Sequence, residues 1–269
     1  MSFNNANTII RISNYRDRVD RVTAAGGTTS KAYRDAANRW DAWSALRNTS
    51  PLQALTDAYE AGTPIEDLAP LRTAALTGET SNPIIDATVH SAVAPAAYAA
   101  MVQAYQPNAR ANYDTARTTF NTAAAEFHTL AEKIDPEATA ASMVRADDAT
   151  RAAWLKIEVT AHQLDTHAAI LADAATLAGK PTNTDSATIG ATVNADGLHV
   201  RRVWEAWATT EGRTGKWGAL VALGATIEAP ELDDLSSYRE PMPMEIVQEH
   251  SGIGVRQVQR DPEDDLVNV

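Results

Sequence analysis

Two interleaved seven-residue rows constrain this chain more than anything else in it. Tyr113, Phe120, Phe127 and Ile134 recur every seventh position, and Ala109, Ala116, Ala123 and Leu130 recur every seventh position between them. Alternating steps of three and four keep both rows on one stripe of a helix, bulky in one row and small in the other. A second segment repeats the device: Trp154, Ala161, Ala168 and Ala175 form one row, and Ile157, Leu164, Leu171 and Ala178 the other. Asp135-Pro136 and the polar stretch VRADDATRA, 144–152, separate the two segments and predict a turn or an exposed helical overhang there. Gly179 followed by Lys180-Pro181 predicts a sharp stop, because glycine takes the left-handed position after a helix and proline cannot extend one. The expectation is a long antiparallel helical hairpin whose alanine rows receive the rings of residues 113–134. At ~1.5 Å per residue, the segment from Pro107 to Ile134 makes a rod on the order of 40 Å.

The flanks are less regular. SKAYRDAANRWDAWSALRN offers Ser30 as an N-cap, followed by Tyr33, Ala36, Ala37, Trp40, Trp43, Ala45 and Leu46 at helical spacing. Pro51, Pro64 and Pro70 cut the next stretch into short helices around LQALTDAYEAG and IEDLAPLRTAAL, and the turn-rich TGETSNPIID, 77–86, reads as a loop and an internal boundary. After residue 181 the β-branched residues on either side of Asn194-Ala195-Asp196-Gly197 predict a short strand pair before a helix containing Trp204 and Trp207; a helix capped by Asp196 is the alternative. KWGALVALGATIEAP is apolar enough to be buried, and MEIVQEH and GVRQVQR are candidate strands around Ser251-Gly252. The fold class is therefore mainly α. An N-terminal helical segment spans 1–91, a long helical hairpin 92–180, a small mixed α/β region 181–229, and an extended acidic C-terminal arm 230–269.

Composition excludes several functions. The 269-residue chain has no cysteine, which removes disulfides, thiolate metal sites and cysteine nucleophiles. A net charge of -12 opposes binding to a phosphate backbone, so no nucleic-acid partner is expected. That charge is polarised: residues 1–39 carry seven cations against three acids, whereas from Glu228 onward three cations face eleven acids. Such polarity suits head-to-tail contact between copies as well as two solvated surfaces. No apolar run approaches the ~18 to 20 residues of a membrane span, and MSFNNANTIIRISNY has no secretory apolar core, so a soluble protein made in the cytoplasm is expected.

For each chemistry-bearing cluster a packing role competes with a catalytic or binding one. Glu158, His162, Asp165 and His167 lie within ten positions, but His162 and His167 are five apart and so stand about 140° from each other on a helix. Zinc-protease histidines are four apart and share a face. Glu158, His162 and Asp165 do share a flank, which reads as a polar border beside the alanine row, with Glu158 and His162 a helical pair. Glu126 and His128 have Glu-x-His spacing, where a di-iron bundle needs Glu-x-x-His. GRTGK, 212–216, lacks both the upstream glycine of a P-loop (Thr210 stands there) and the hydroxyl after the lysine (Trp217), so it reads as a turn between elements. The pairs Trp40/Trp43 and Trp204/Trp207 read as core or interface anchors rather than stacking platforms. Catalytic, cofactor-binding and metal residues are thus all assigned as none, and no cofactor is expected.

In overall texture, with its alanine-rich hairpin, opposite charge at the two ends and acidic arm, the chain resembles the small virion proteins of tailed bacteriophages that infect high-GC actinobacteria. That resemblance implies a non-enzymatic structural subunit of head, neck or tail, located in the virion, present in many copies and clasping its neighbours and other virion proteins. An alternative is a secreted helical effector similar to type VII secretion substrates, which carry Trp-x-Gly and a tyrosine four residues before an acid. Here Trp217 is followed directly by Gly218, and Tyr15, Tyr98, Tyr113 and Tyr238 are followed four residues on by Val19, Val102, Arg117 and Met242.

Overall fold

A computed structural model of the chain describes residues 3–46, 51–78, 83–180, 182–251 and 254–265. Residues 79–82, Pro181 of the expected helix stop and Gly252 of the expected hairpin turn lie outside them. The chain is mainly helical. In order it forms α1 (Phe3–Ala24), α2 (Lys31–Leu46), α3 (Pro51–Glu60), α4 (Ile65–Gly78), α5 (Pro83–Ala131), α6 (Ala140–Met143), α7 (Asp148–Leu177), α8 (Asp185–Thr192), β1 (Val193–Asn194), α9 (Val200–Trp207), α10 (Gly215–Leu223), β2 (Thr226–Ile227), β3 (Glu245–Ser251) and β4 (Gly254–Arg260), with a 3-10 turn at Pro262–Asp265. β1 pairs with β2 and β3 with β4, both antiparallel.

Packing divides the chain into two compact units, one of residues 1–23 and 28–109, the other of 24–27 and 110–269. The first has a ring-rich core. Tyr15 meets Tyr98 and Tyr105 edge-on, Tyr33 meets Tyr105, and Ile12, Val19, Trp40 and Met101 are buried with them. Ser30 caps α2 as the sequence suggests, its hydroxyl accepting from the Tyr33 amide at 3.0 Å. Pro51 opens α3 and Pro64 immediately precedes α4, but Pro70 lies inside α4.

α5 differs from the sequence expectation at its start. Residues 83–86 are helical rather than loop, and the helix runs unbroken through the 91/92 boundary and through Pro95 and Pro107. A proline removes one helical hydrogen bond, and the loss is smallest where water can serve the freed carbonyl. Pro107 is exposed and so is Gln103, whose carbonyl it leaves without a helical donor.

In the second unit the heptad rows behave as their spacing requires. Ala109 belongs to the first unit; from Tyr113 to Ile134 every member of the two rows on this side is buried, as are Ile157, Ala161, Leu164, Ala168, Leu171 and Ala175 on α7. Two tie points give the direction. Glu126 of α5 pairs with Lys156 of α7, while the Trp217 ring lies 6.0 Å from Phe120 and donates to Asp165 at 3.0 Å. Moving back along α5 therefore means moving forward along α7, and the helices are antiparallel. The turn between them contains α6 and ends at Asp147, whose carboxylate caps α7 through the Thr150 amide at 2.7 Å. At the far end Gly179 has φ +88°, the Gly179 amide donates to the Thr176 carbonyl and the Lys180 amide to that of Ala175, a Schellman stop.

Downstream of residue 181 the local reading needs correction. Residues 185–192 form α8, with the Thr184 hydroxyl accepting from the Ala187 amide, and no hairpin forms across 194–197. β1 instead pairs with β2, Val193 opposite Ile227 and Asn194 opposite Thr226. α9 begins after His199 rather than Asp196. α10 buries Trp217, Gly218 and Leu220, as the apolarity of its sequence suggests.

Candidate functional site

Between β2 and β3 the C-terminal segment, with a turn at 232–234, lies as a strap along its own unit before it reaches β3. Its first part is held by one face of α5. Tyr113, Arg117, Asn121 and His128 stand at helical spacing and each addresses the backbone of residues 227–230. The Tyr113 hydroxyl donates to the Pro230 carbonyl at 2.9 Å and Arg117 Nε to the Ala229 carbonyl at 3.1 Å. Asn121 grips Ala229 from both sides, its Oδ1 accepting from the Ala229 amide at 2.7 Å and its Nδ2 donating to the Ala229 carbonyl at 3.1 Å. His128 Nε2 accepts from the Ile227 amide at 3.0 Å. These side chains supply what a neighbouring strand would otherwise supply, so a buried length of backbone needs no further sheet.

His128 makes this grip sensitive to acid. Burial disfavours its imidazolium and lowers its pKa below the ordinary value of about 6.5, and a proton on Nε2 would abut the Ile227 amide. The folded chain thus binds fewer protons than the unfolded chain just below that pH. Its contribution is complete above about pH 6.5 and declines as the pH falls toward the folded-state value. Melting temperature measured from about pH 8 down to about pH 5 is expected to fall in that window, and His128→Gln to flatten the fall. An unchanged slope in the variant would remove His128 from the account.

Further along, Tyr238 forms a two-point junction with α8. Its amide donates to the Ser186 carbonyl at 2.8 Å, and the Ser186 hydroxyl donates to the Tyr238 carbonyl at 2.6 Å. Gly190 is essential to the approach, since a Cβ there would stand 1.9 Å from the Ser236 carbonyl oxygen. Trp204 Nε1 fixes the next residue by donating to the Arg239 carbonyl at 2.9 Å.

The root of the β3–β4 hairpin is a compact charged knot. Arg201 pairs with Asp261 and also donates to the Met242 carbonyl, so it ties the chain entering β3 to the chain leaving β4. Glu263, 1% exposed, does the same from the other side: its carboxylate accepts from both terminal nitrogens of Arg239, at 2.9 and 2.6 Å, and from the Met242 amide at 2.9 Å. The Arg201 hydrogen bonds hold the Asp261 carboxyl below the usual range, and those of Arg239 do the same for Glu263. His199 Nε2 adds a contact to Asp264 at 3.1 Å. Beyond this knot the strands run in unbroken register from Glu245↔Arg260 to Ser251↔Gly254. Glu245, Gln248, Arg256, Gln257, Gln259 and Arg260 are exposed, and Ile246 is 67% exposed.

The residues singled out by sequence are spread among packing roles. Glu158 accepts from Arg213 at 2.8 Å; Asp165 accepts from Trp217 and pairs with Lys216 at 3.1 Å; His162 is exposed and His167 half-buried. Glu126 serves Lys156 and His128 serves the strap, so neither pair converges on a common point. Among the described residues no group of three or more His, Asp or Glu side chains is placed to hold a metal ion. GRTGK spans the end of the turn after α9 and the first two residues of α10, and it seats an anion from within the chain. The Glu137 carboxylate accepts from the Arg213 amide at 2.8 Å, the Thr214 amide at 3.0 Å and the Thr214 hydroxyl. Burial raises the Glu137 pKa, but these hydrogen bonds outweigh it and leave the group below its ordinary value. Arg213 also covers the ring of Trp154 on α7 at 3.6 Å, while Glu137 ties the interhelical turn to the start of α10. Trp40 and Trp207 are core residues, Trp204 is a strap anchor, and Trp43 lines an apolar cavity of about 880 Å³ floored by alanines of α5.

No protein-family model matches the chain, and neither does any curated protein or solved structure. No helix among the described residues is long and apolar enough to cross a membrane. The arrangement ties an exposed two-stranded blade, through ion pairs and backbone hydrogen bonds, to the helices of its own unit.

Proposed function

We propose that the chain is a non-enzymatic assembly protein that works in many copies through protein–protein contacts, of the kind that tailed-phage virions build into head, neck or tail. The observation that carries this reading is the exposed β3–β4 blade set on a charged, hydrogen-bonded root. A two-stranded ribbon is marginal in water by itself, and a chain that used these strands only for its own stability would bury one face of them. Here the root is fixed in place while the blade stays accessible, which suits an element that meets a neighbour. The charged clusters elsewhere support the same reading, because their side chains are engaged in caps, clamps and ion pairs within the chain.

The charge split favours contact between copies, now in a narrower form. Several C-terminal acids are matched internally, Asp233 by Arg110, Glu231 by Arg117, Asp261 by Arg201 and Glu263 by Arg239. Attraction between copies then rests on fewer groups, and exposed ones are screened over about 8 to 10 Å at physiological salt. Light scattering on the purified protein is expected to give a mass above the 28.8 kDa of one chain, decreasing as salt rises. A monomer at every ionic strength and concentration overturns the reading.

A further inference from the structure

We propose that the β3–β4 hairpin joins copies of this chain edge to edge, with β3 of one copy antiparallel beside β4 of the next. This rests on the multi-copy reading above and names the surface that performs it. Among the described residues β3 and β4 form a sheet of two strands only, so each offers an outer row of amides and carbonyls. Exposed edges are usually blunted by charged side chains, lysine above all, by proline or by a bulge. Neither strand contains lysine or proline, and the register has no bulge.

Charge selects the partner. β3 carries Glu245 and Glu249, and β4 carries Arg256 and Arg260, each acid opposite an arginine in the register. Pairing β3 with a second β3 would set acids beside acids, and β4 with β4 would set arginines beside arginines; like charges directly opposite are destabilising. Only β3 against β4 of another copy continues the alternation of sign across the widened sheet. The occupant of each edge is therefore the other edge of a second copy. Such a contact is heterologous, so repetition closes a ring or extends a row. Four or more strands also relieve the marginal stability of a lone ribbon.

The absence of cysteine makes the test direct. Single variants Gln248→Cys and Ile246→Cys on β3, and Gln257→Cys on β4, are prepared separately and oxidised alone and as mixtures of a β3 variant with the β4 variant. A disulfide needs Cα atoms within about 7 Å, which neighbouring strands satisfy and strands two apart, at about 9 to 10 Å, do not. Disulfide-linked dimers are expected in a β3–β4 mixture and not in any variant alone. Dimers only within single variants, or none in any mixture while light scattering still reports several copies, overturn the edge-to-edge inference and leave the assembly reading standing. A monomeric wild-type chain overturns both.

Discussion

Trp217→Ala is expected to destabilise the second unit by ~3 to 5 kcal/mol, the range for removing a large buried aromatic side chain. Trp217 is fully buried, with the Phe120 ring at 6.0 Å and the Trp207 ring edge-on at 5.9 Å. Its indole N–H holds Asp165, and the Lys216 ammonium lies 5.0 Å from its ring. Truncation therefore opens a void among three elements and removes the donor that links α10 to α7. Trp217→Phe keeps most of the apolar volume and loses the donor, so it should cost much less, about 1 to 3 kcal/mol. Denaturant unfolding of both variants separates the contributions. A loss below about 1 kcal/mol for the alanine variant would mean that the site collapses without penalty and that Trp217 is not the keystone its burial implies.

Gly190→Ala should lower stability although it removes a glycine from a helix. In an open helix that exchange stabilises by roughly 0.5 to 1 kcal/mol, because alanine loses less backbone entropy on folding. At residue 190 the added methyl would occupy the place of the Ser236 carbonyl, 1.9 Å away, and backbone cannot yield as a flexible side chain would. The strap must lift, and with it the Tyr238 bonds to Ser186. Overpacking of this kind costs typically about 1 to 3 kcal/mol and outweighs the helical gain. Hydrogen exchange at the Tyr238 amide, which donates to Ser186 at 2.8 Å, should accelerate, and the melting temperature should fall. A higher melting temperature would show that α8 and the strap are not in obligatory contact.

The long hairpin was legible because its information is local. A seven-residue period in Tyr113, Phe120 and Phe127, and another in Ile157, Leu164 and Leu171, is set by helix geometry alone. The strands β3 and β4 were legible because both carry β-branched residues and lie a few residues apart on either side of Ser251-Gly252. β1 was not, since its partner Ile227 is far along the chain and a two-residue strand has no period. The strap was hidden for a related reason: Asn121 and His128 look like ordinary polar positions on the flank of a helix, and their partners are backbone atoms about a hundred residues away. Glu137 was hidden in the same manner. The glycines of GRTGK were a visible signal for an anion seat, but nothing local identified the occupant as a carboxylate from the interhelical turn.

The grip of α5 on residues 227–230 falls on amides and carbonyls, which every sequence possesses. Evolution can therefore redraft the letters of that stretch while leaving its path intact, provided Tyr113, Arg117, Asn121 and His128 persist. Across kindred chains, spelling should drift at exposed Glu228, while buried Ile227 and Ala229 admit only apolar letters with an amide to offer and the helix that tethers them stays frozen.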